Sequence, residues 1–351
     1  MAERYGKWIK QKQLGGGGQA VTFLVVEEGA EEKGQFVLKR LLNPRRFDRA
    51  RREIEACLKL SHPNVVRIVD YDLEAPKPYL VTEYCEDGHL SRMSLSGVEL
   101  LDRLRIFALI CRGVGYAHSK GVVHRDIKPE NIFLRQNRSI PVVGDFGICF
   151  VTEEGERVTL IDEVAGSLWY AAPELENGRA EDVGPESDVY SLGKVLYWMM
   201  AGRIFSREKH REAAFDLTTG QRDSAVFLIY DLLDKTIVFD KSKRFTDADK
   251  LADAVDTVIR RIEMKAHAID LNAPQPCNYC GIGAYEIIIN PYTRDQYNLQ
   301  QDQVSRFLHI QYADNDIQRE AWLVFACDYC GNIQIFRPDK AKNRDIWKPK
   351  N

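Results

Sequence analysis

The chain has 351 residues, 44% of them hydrophobic and 29% charged, with a formal net charge of −3. That is length for about two or three domains with real cores, and the charge balance gives no global case for nucleic-acid binding. The start, Met1-Ala2-Glu3-Arg4, is polar with no apolar signal core behind it, and the most apolar run, 195–201, is too short to span a bilayer. A cytoplasmic protein without membrane contact is the expectation.

Trp8-Ile9-Lys10, 21–26 and 35–41 read as strands, the first two separated by a glycine run. Residues 45–60 repeat apolar side chains at helical spacing, which puts Ile54, Cys57 and Leu58 on an inner face. Strands are expected again at 65–71 and 78–84. Helices then dominate, at 100–119, 187–201, 225–238 and 247–264. A strand-rich start followed by a helical body predicts two lobes in one catalytic unit, an α+β class. Leu271-Asn272-Ala273-Pro274-Gln275-Pro276 reads as a linker, because its two prolines end the helical pattern. Strands return at 284–290, 304–312, 321–326 and 332–336, before a polar, basic tail. The expected division is therefore 1–264, a linker at 265–276, a small β-rich domain at 277–338 and a tail at 339–351.

The chain has eight cysteines. Cys57, Cys85, Cys111 and Cys149 stand among apolar residues and read as small buried hydrophobes. The other four form Cys277-Asn278-Tyr279-Cys280-Gly281 and Cys327-Asp328-Tyr329-Cys330-Gly331. Two residues between thiolates let both reach one tetrahedral ion at about 2.3 Å, and a glycine relieves the tight turn. The interval between the pairs exceeds common zinc-finger spacing, so the intervening strands must bring them together. The segment resembles a zinc ribbon, which implies one structural Zn²⁺ on Cys277, Cys280, Cys327 and Cys330. Redox disulfides are the rival reading. A ribbon would recruit a protein or nucleic-acid partner, or regulate its neighbour.

The densest chemistry lies in His124-Arg125-Asp126-Ile127-Lys128-Pro129-Glu130-Asn131, followed by Asp145-Phe146-Gly147. Phosphoryl transfer needs a group to orient the attacking hydroxyl, a cation for the phosphate and oxygen ligands for Mg²⁺. These residue types supply that set. Together with Leu14-Gly15-Gly16-Gly17-Gly18-Gln19-Ala20, Phe36-Val37-Leu38-Lys39 and Tyr79-Leu80-Val81-Thr82-Glu83-Tyr84-Cys85, the stretch from Trp8 to Ile262 resembles the eukaryotic-like Ser/Thr protein kinase family. The resemblance implies a bilobal kinase fold, ATP and Mg²⁺ as cofactors, and protein Ser/Thr hydroxyls as acceptors.

Residue by residue, it implies Asp126, Lys128, Lys39 and Glu53 as catalytic groups. Asp126 would take the hydroxyl proton, Lys128 would sit by the transferred phosphoryl, and Glu53 would pair with Lys39. Gly15, Gly17 and Thr22 would cover the nucleotide. Val37 would roof the base, Phe133 would lie beneath it, and Glu83 and Cys85 would address its edge through their backbone. Asn131 and Asp145 would ligate Mg²⁺. Ala20, Thr22 and Val37 depart from the family pattern, which usually has Gly, Val and Ala there. Gly166-Ser167-Leu168-Trp169-Tyr170-Ala171-Ala172-Pro173-Glu174 resembles the Ser/Thr-type docking stretch. Glu174 is expected to pair with Arg244, and Asp188 to anchor the catalytic loop. The alternative to an active kinase is a nucleotide-responsive, pseudokinase-like adaptor whose ribbon recognises a partner.

Overall fold

Strand alternation organises the first lobe. In the computed structural model, β1 (Arg4–Tyr5), β2 (Trp8–Gly16), β3 (Ala20–Glu27), β4 (Phe36–Leu41), β5 (Ile68–Asp72) and β6 (Tyr79–Glu83) form one antiparallel sheet. Its strand order is β1-β2-β3-β4-β6-β5. The structure describes residues 3–16, 20–42, 51, 54–146, 169–177, 183–217 and 225–265, and the backbone of four short strands beyond them. It divides into two units, Met1–Asp256 and Thr257–Asn351.

Successive strand side chains point to opposite faces. On one face Leu38 is fully buried with Tyr5, Trp8, Phe23, Val25, Tyr79 and Val81. Parity turns Val37 and Lys39 to the other face. The register sets Thr22 opposite Lys39, Gly15 opposite Thr22, and Val37 opposite Thr82. One residue of slip would move the whole set to the wrong side. The two-residue β1 is tied on by Glu3, which accepts from Lys77 (2.6 Å), Lys10 (2.9 Å) and Tyr5 (3.0 Å). These donors, Lys77 first, hold the Glu3 carboxyl down at about 2.

Two local expectations shift. Ile54 and Cys57 are buried as expected, but Leu58 is 43% exposed. The helical turn at 54–57 tightens at its end: Leu60 N–H donates to Cys57 O (2.9 Å), an i→i+3 bond that brings Leu60 inward instead. The strand expected at 65–71 begins only at Ile68, because Val65 and its neighbours pair elsewhere. Val66 N–H donates to Val143 O (2.8 Å) and Val143 N–H to Asn64 O (2.9 Å). Half of the 45–60 helix and all of the 304–312 strand lie outside the described residues.

The helical part holds α1 (Leu100–Ser119), α2 (Pro173–Asn177), α3 (Pro185–Ala201), α4 (Ala225–Asp234) and α5 (Ala248–Lys265), with a hairpin of β7 (Ile132–Arg135) and β8 (Ile140–Val143). Helix α3 is buried along most of its length and starts on Pro185. It stops at Gly202, whose φ of +66° accommodates the left-handed cap and whose N–H donates to Trp198 O. Helix α4 ends four residues short of the expected 238. There Thr236 turns its hydroxyl back to Leu232 O (2.9 Å) and nestles against Gly193 of α3, where a Cβ would lie 2.2 Å from Thr236 Oγ1. Cys57, Cys85 and Cys111 are buried thiols. Cys149 lies outside the described residues.

In the second unit, β9 (Gln275–Pro276), β10 (Ala284–Ile289), β11 (Leu323–Cys327) and β12 (Ile333–Phe336) form an antiparallel sheet ordered β12-β11-β10-β9. Pro276 pairs with Ala284, and Tyr285 pairs with Cys327. Cys277, Cys280 and Cys330 lie outside the described residues. No helix among the described residues is long and apolar enough to cross a membrane.

Lys194 of α3 is a buried cation, its Nζ donating to Phe205 O (2.5 Å) and Arg207 O (2.9 Å). Desolvation lowers its pKa from 10.5 to about 7. The folded state thus binds this proton less readily than the unfolded chain. The charge penalty is complete below pH 7 and disappears as pH rises toward the unfolded value. Stability should climb between pH 7 and 9 by up to about 1.4 kcal/mol per pH unit from this group. Urea denaturation of Lys194→Met across that range should lack this part of the slope; an unchanged slope would refute the assignment.

Candidate active site

Helix α3 delivers the residue that builds the site. Asp188 lies in its first turn, fully buried, and its carboxylate accepts three bonds. His124 N–H donates to Oδ2 (2.7 Å), Arg125 N–H to Oδ1 (2.8 Å) and His118 Nε2 to Oδ2 (2.8 Å). Burial alone would raise the Asp188 carboxyl, but the His118 and His124 donors hold it below its ordinary value. His118 is itself fixed: its Nδ1 accepts Ala248 N–H (3.2 Å), so Nε2 carries the proton.

This anchor supports a strained backbone. Arg125 has φ +69° and Asp145 φ +61°, left-handed conformations that side chains other than glycine avoid. His124 joins the two segments. Its Nδ1 accepts Asp126 N–H (3.2 Å) and its Nε2 donates to Gly144 O (2.8 Å), which sets the tautomer. Phe146 packs on the His124 ring at 4.6 Å between centroids. Asp126 and Asp145 are therefore positioned through one buried imidazole.

At the mouth, Asn131 Nδ2 donates to both Asp126 O and Asp126 Oδ2 (2.8 Å each). Lys128 Nζ lies 3.0 Å from the same Oδ2. Asn131 spends its amide hydrogens there, which leaves its oxygen as the end suited to a cation. Lys39, reaching across from β4, forms an ion pair with Asp145. Thus Lys128 and Asn131 gather on Asp126, Lys39 pairs with Asp145, and Gly144 N–H donating to Asn131 O (2.9 Å) ties the two groups together. Gly15 and Thr22 stand beside Lys39 in the sheet register.

Val37 and Thr82 face each other across β4 and β6, both only half-buried. Phe133, half-buried on β7, pairs with His89 through an isolated bridge. Cys85 is buried, which pushes its thiol up to about 12 and keeps it neutral. Glu53 and Gly17 lie outside the described residues. Two lining residues went unread in the sequence, Val66 and Gly144. A Cβ on Gly144 would lie 2.8 Å from both Phe133 Cε2 and Val66 Cγ2, so the absent side chain makes room for the large Phe133 ring. Only the glycine just before Asp145 hinted at this.

At α2, Arg244 Nη1 and Nη2 donate to Glu174 Oε1 (2.6 Å) and Oε2 (3.1 Å), and Ser187 adds a bond of 2.7 Å. Both sequence-level pairings, Glu174 with Arg244 and Asp188 with the loop, are present. Asp188→Ala should cost about 3 kcal/mol or more at pH 7, since it strips acceptors from buried donors. Because the Asp188 carboxyl is held below 3.8 in the fold, its contribution exists above about pH 4 and fades as pH falls through the folded value. Denaturation curves of the two proteins should converge below that pH; a constant gap would contradict the account.

The comparisons agree with this geometry. A profile of the protein kinase domain matches residues 8–259. Serine/threonine-protein kinase GIN4 of Saccharomyces cerevisiae is 34% identical over 212 residues, 57% of this chain and 18% of that protein. Serine/threonine-protein kinase Pkn1 of Myxococcus xanthus is 31% identical over 207 residues, 57% of this chain and 30% of its own. The chain spans less than half the length of the curated relatives it matches. The crystal structure of the Mycobacterium tuberculosis PknI kinase domain superposes with a TM-score of 0.56 at 21% identity, covering 73% of this chain and 98% of that one. The strand-rich lobe, the helical part and the convergent loops are those of a bilobal kinase, and the chain belongs to the protein kinase family.

Proposed function

We propose that the protein is an ATP-dependent serine/threonine protein kinase. The observation that carries this reading is a pair of linked carboxylates, Asp126 with Lys128 and Asn131 upon it and Asp145 with Lys39 upon it. Family membership and relatives bearing the serine/threonine-protein kinase name support it. The donor set suits Mg²⁺: a carboxylate on Asp145 and the amide oxygen of Asn131 are hard oxygen ligands. Bound there, the ion would neutralise charge between the phosphates.

Lys39 would hold the α- and β-phosphates under the strand turn of Gly15, Gly17 and Thr22, with Glu53 as its partner on the helix. Val37 and Phe133 would enclose the base, and the backbone of Glu83 and Cys85 would bond its edge. Asp126 would accept the proton of a substrate Ser or Thr hydroxyl. As that oxygen bonds the γ-phosphorus, the bond to the β-phosphate oxygen breaks and ADP departs. Lys128 would counter the charge on the moving phosphoryl group. Asp126→Asn should cut transfer from Mg·ATP to protein by at least about 10³-fold while ATP still binds. Transfer within tenfold of the wild type would overturn the assignment of Asp126.

The segment 277–338, within the second unit, is proposed as a zinc ribbon that recruits a partner or regulates the kinase. Its register supports this. Strand β9 stops at Pro276, next in sequence to Cys277, and pairs with Ala284, while Cys327 ends β11 opposite Tyr285. The strand ends at Pro276 and Cys327 thus lie at the same end of one sheet. Strands β9 and β11 lie on either side of β10, about 10 Å apart by strand spacing, so a shared tetrahedral ion would sit over the end of β10. Elemental analysis should find one zinc per chain, lost in Cys277→Ser/Cys327→Ser, with a fall in thermal stability. Metal well below one equivalent in the wild type would remove the ribbon from the account.

A further inference from the structure

We propose that Arg135 is a positioning residue for nucleotide binding that acts through Glu83. The proposal rests on the reading of 83–85 as the segment that addresses a nucleotide base. Arg135 is the last residue of β7, two positions beyond Phe133. Its Nη1 and Nη2 donate to Glu83 Oε2 (3.1 Å) and Oε1 (3.3 Å), and Nη2 also reaches Pro63 O (3.5 Å). Glu83 Oε1 accepts a further bond from Arg67 N–H (2.8 Å), and Glu83 N–H donates to Arg67 O (3.1 Å). The pair is well covered, with Glu83 20% and Arg135 25% exposed at the side chain. Solvent therefore screens it less than an open surface pair.

The clasp continues along the segment. Glu86 Oε1 accepts Gln136 N–H (3.0 Å) and Asp87 Oδ2 accepts Arg138 N–H (2.9 Å). Gln136, Asn137 and Arg138 have φ of 53°, 57° and 66°, three successive left-handed residues without a glycine. Residues with a Cβ hold this conformation only where their surroundings fix it. Here the hydrogen bonds from Gln136 and Arg138 to Glu86 and Asp87 fix the turn. Asp87 N–H to Leu134 O (3.2 Å) and Leu134 N–H to Gly88 O (2.9 Å) complete the lacing. Three carboxylates of one short segment are thus committed to one hairpin.

Of the three, only Glu83 lies within the base-addressing segment. A cavity of about 230 Å³ opens behind it, lined by Leu60, His62, Pro63, Arg67, Glu83 and Arg135. Side-chain packing is thin on that side, so the guanidinium supplies the support. Recognition hydrogen bonds tolerate displacements of only about 0.5 Å. Without Arg135, the Glu83 carboxylate keeps only the Arg67 N–H bond, and the start of the 83–85 segment loses its tie to the hairpin. Glu83 pairs with Phe36 at the start of β4, whereas Lys39 lies three residues further along β4 opposite Leu80 and the glycine turn lies at the end of β2, so the phosphate end should not respond.

The test is steady-state kinetics of the full chain with protein substrate, beside inhibition by tripolyphosphate as a probe of the phosphate end alone. Arg135→Ala should raise the ATP KM about fivefold or more, with kcat within twofold and tripolyphosphate inhibition unchanged. Arg135→Lys should fall between. Glu83→Gln should raise KM similarly, and the double variant should add little, since both break one pair. An ATP KM within twofold of the wild type in Arg135→Ala overturns the proposal. So does parallel weakening of tripolyphosphate, which would mark a general loosening. A wild type that binds no ATP overturns the kinase reading itself, and the proposal with it.

Discussion

One buried carboxylate orders the site. Asp188 has no solvent exposure, yet burial has not neutralised it, because three donors pay for its charge. Two of those donors are the backbone amides of His124 and Arg125, so the loop is held by atoms that every sequence possesses. The third, His118, ties α1 to the same point. From there the chain of causes is short. The loop places His124, His124 holds Gly144 O, and the Asp145 backbone follows in a left-handed conformation it would not adopt alone. Strain at Arg125 and Asp145 is the local cost of presenting side chains from two loops to one spot.

The sheet contributes by parity rather than by contact. Leu38 buries on one face with the aromatic cluster, which leaves Lys39 and Val37 on the other. Lys39 then reaches Asp145 from the opposite lobe, and this ion pair spans the cleft directly. Backbone bonds between Val66 and Val143, and the lacing of 83–88 onto the hairpin, hold the two lobes at the back. The arrangement leaves the cleft lined by partly exposed apolar side chains, Val37, Val66 and Phe133, beside a polar floor. An apolar slot with polar groups at one end suits a purine triphosphate.

Much of this was legible in the sequence because its carriers are local. Helix 100–119 was bounded correctly by periodicity, and the loop of His124 to Asn131 by its own residues. Pairings between distant residues, Glu174 with Arg244, came from the family pattern. What escaped was set by space. Gly144 matters because Phe133 needs its missing Cβ, a relation between two residues that no spacing rule encodes. Leu58 turned outward because the helix tightened by one i→i+3 bond. Val65 and Val66 left their expected strand for a better partner in β8. Arg135 carries no sequence signal, and only the fold brings Glu83 to it.

The central claim is that this geometry directs a γ-phosphoryl group to aliphatic hydroxyls of protein. Its most direct test is phosphoamino-acid analysis after incubating the full chain with Mg²⁺, γ-labelled ATP and peptides carrying Ser, Thr or Tyr acceptors. The account predicts label on phosphoserine and phosphothreonine, and none on phosphotyrosine. Label on tyrosine, or no protein-bound label despite bound ATP, would contradict it.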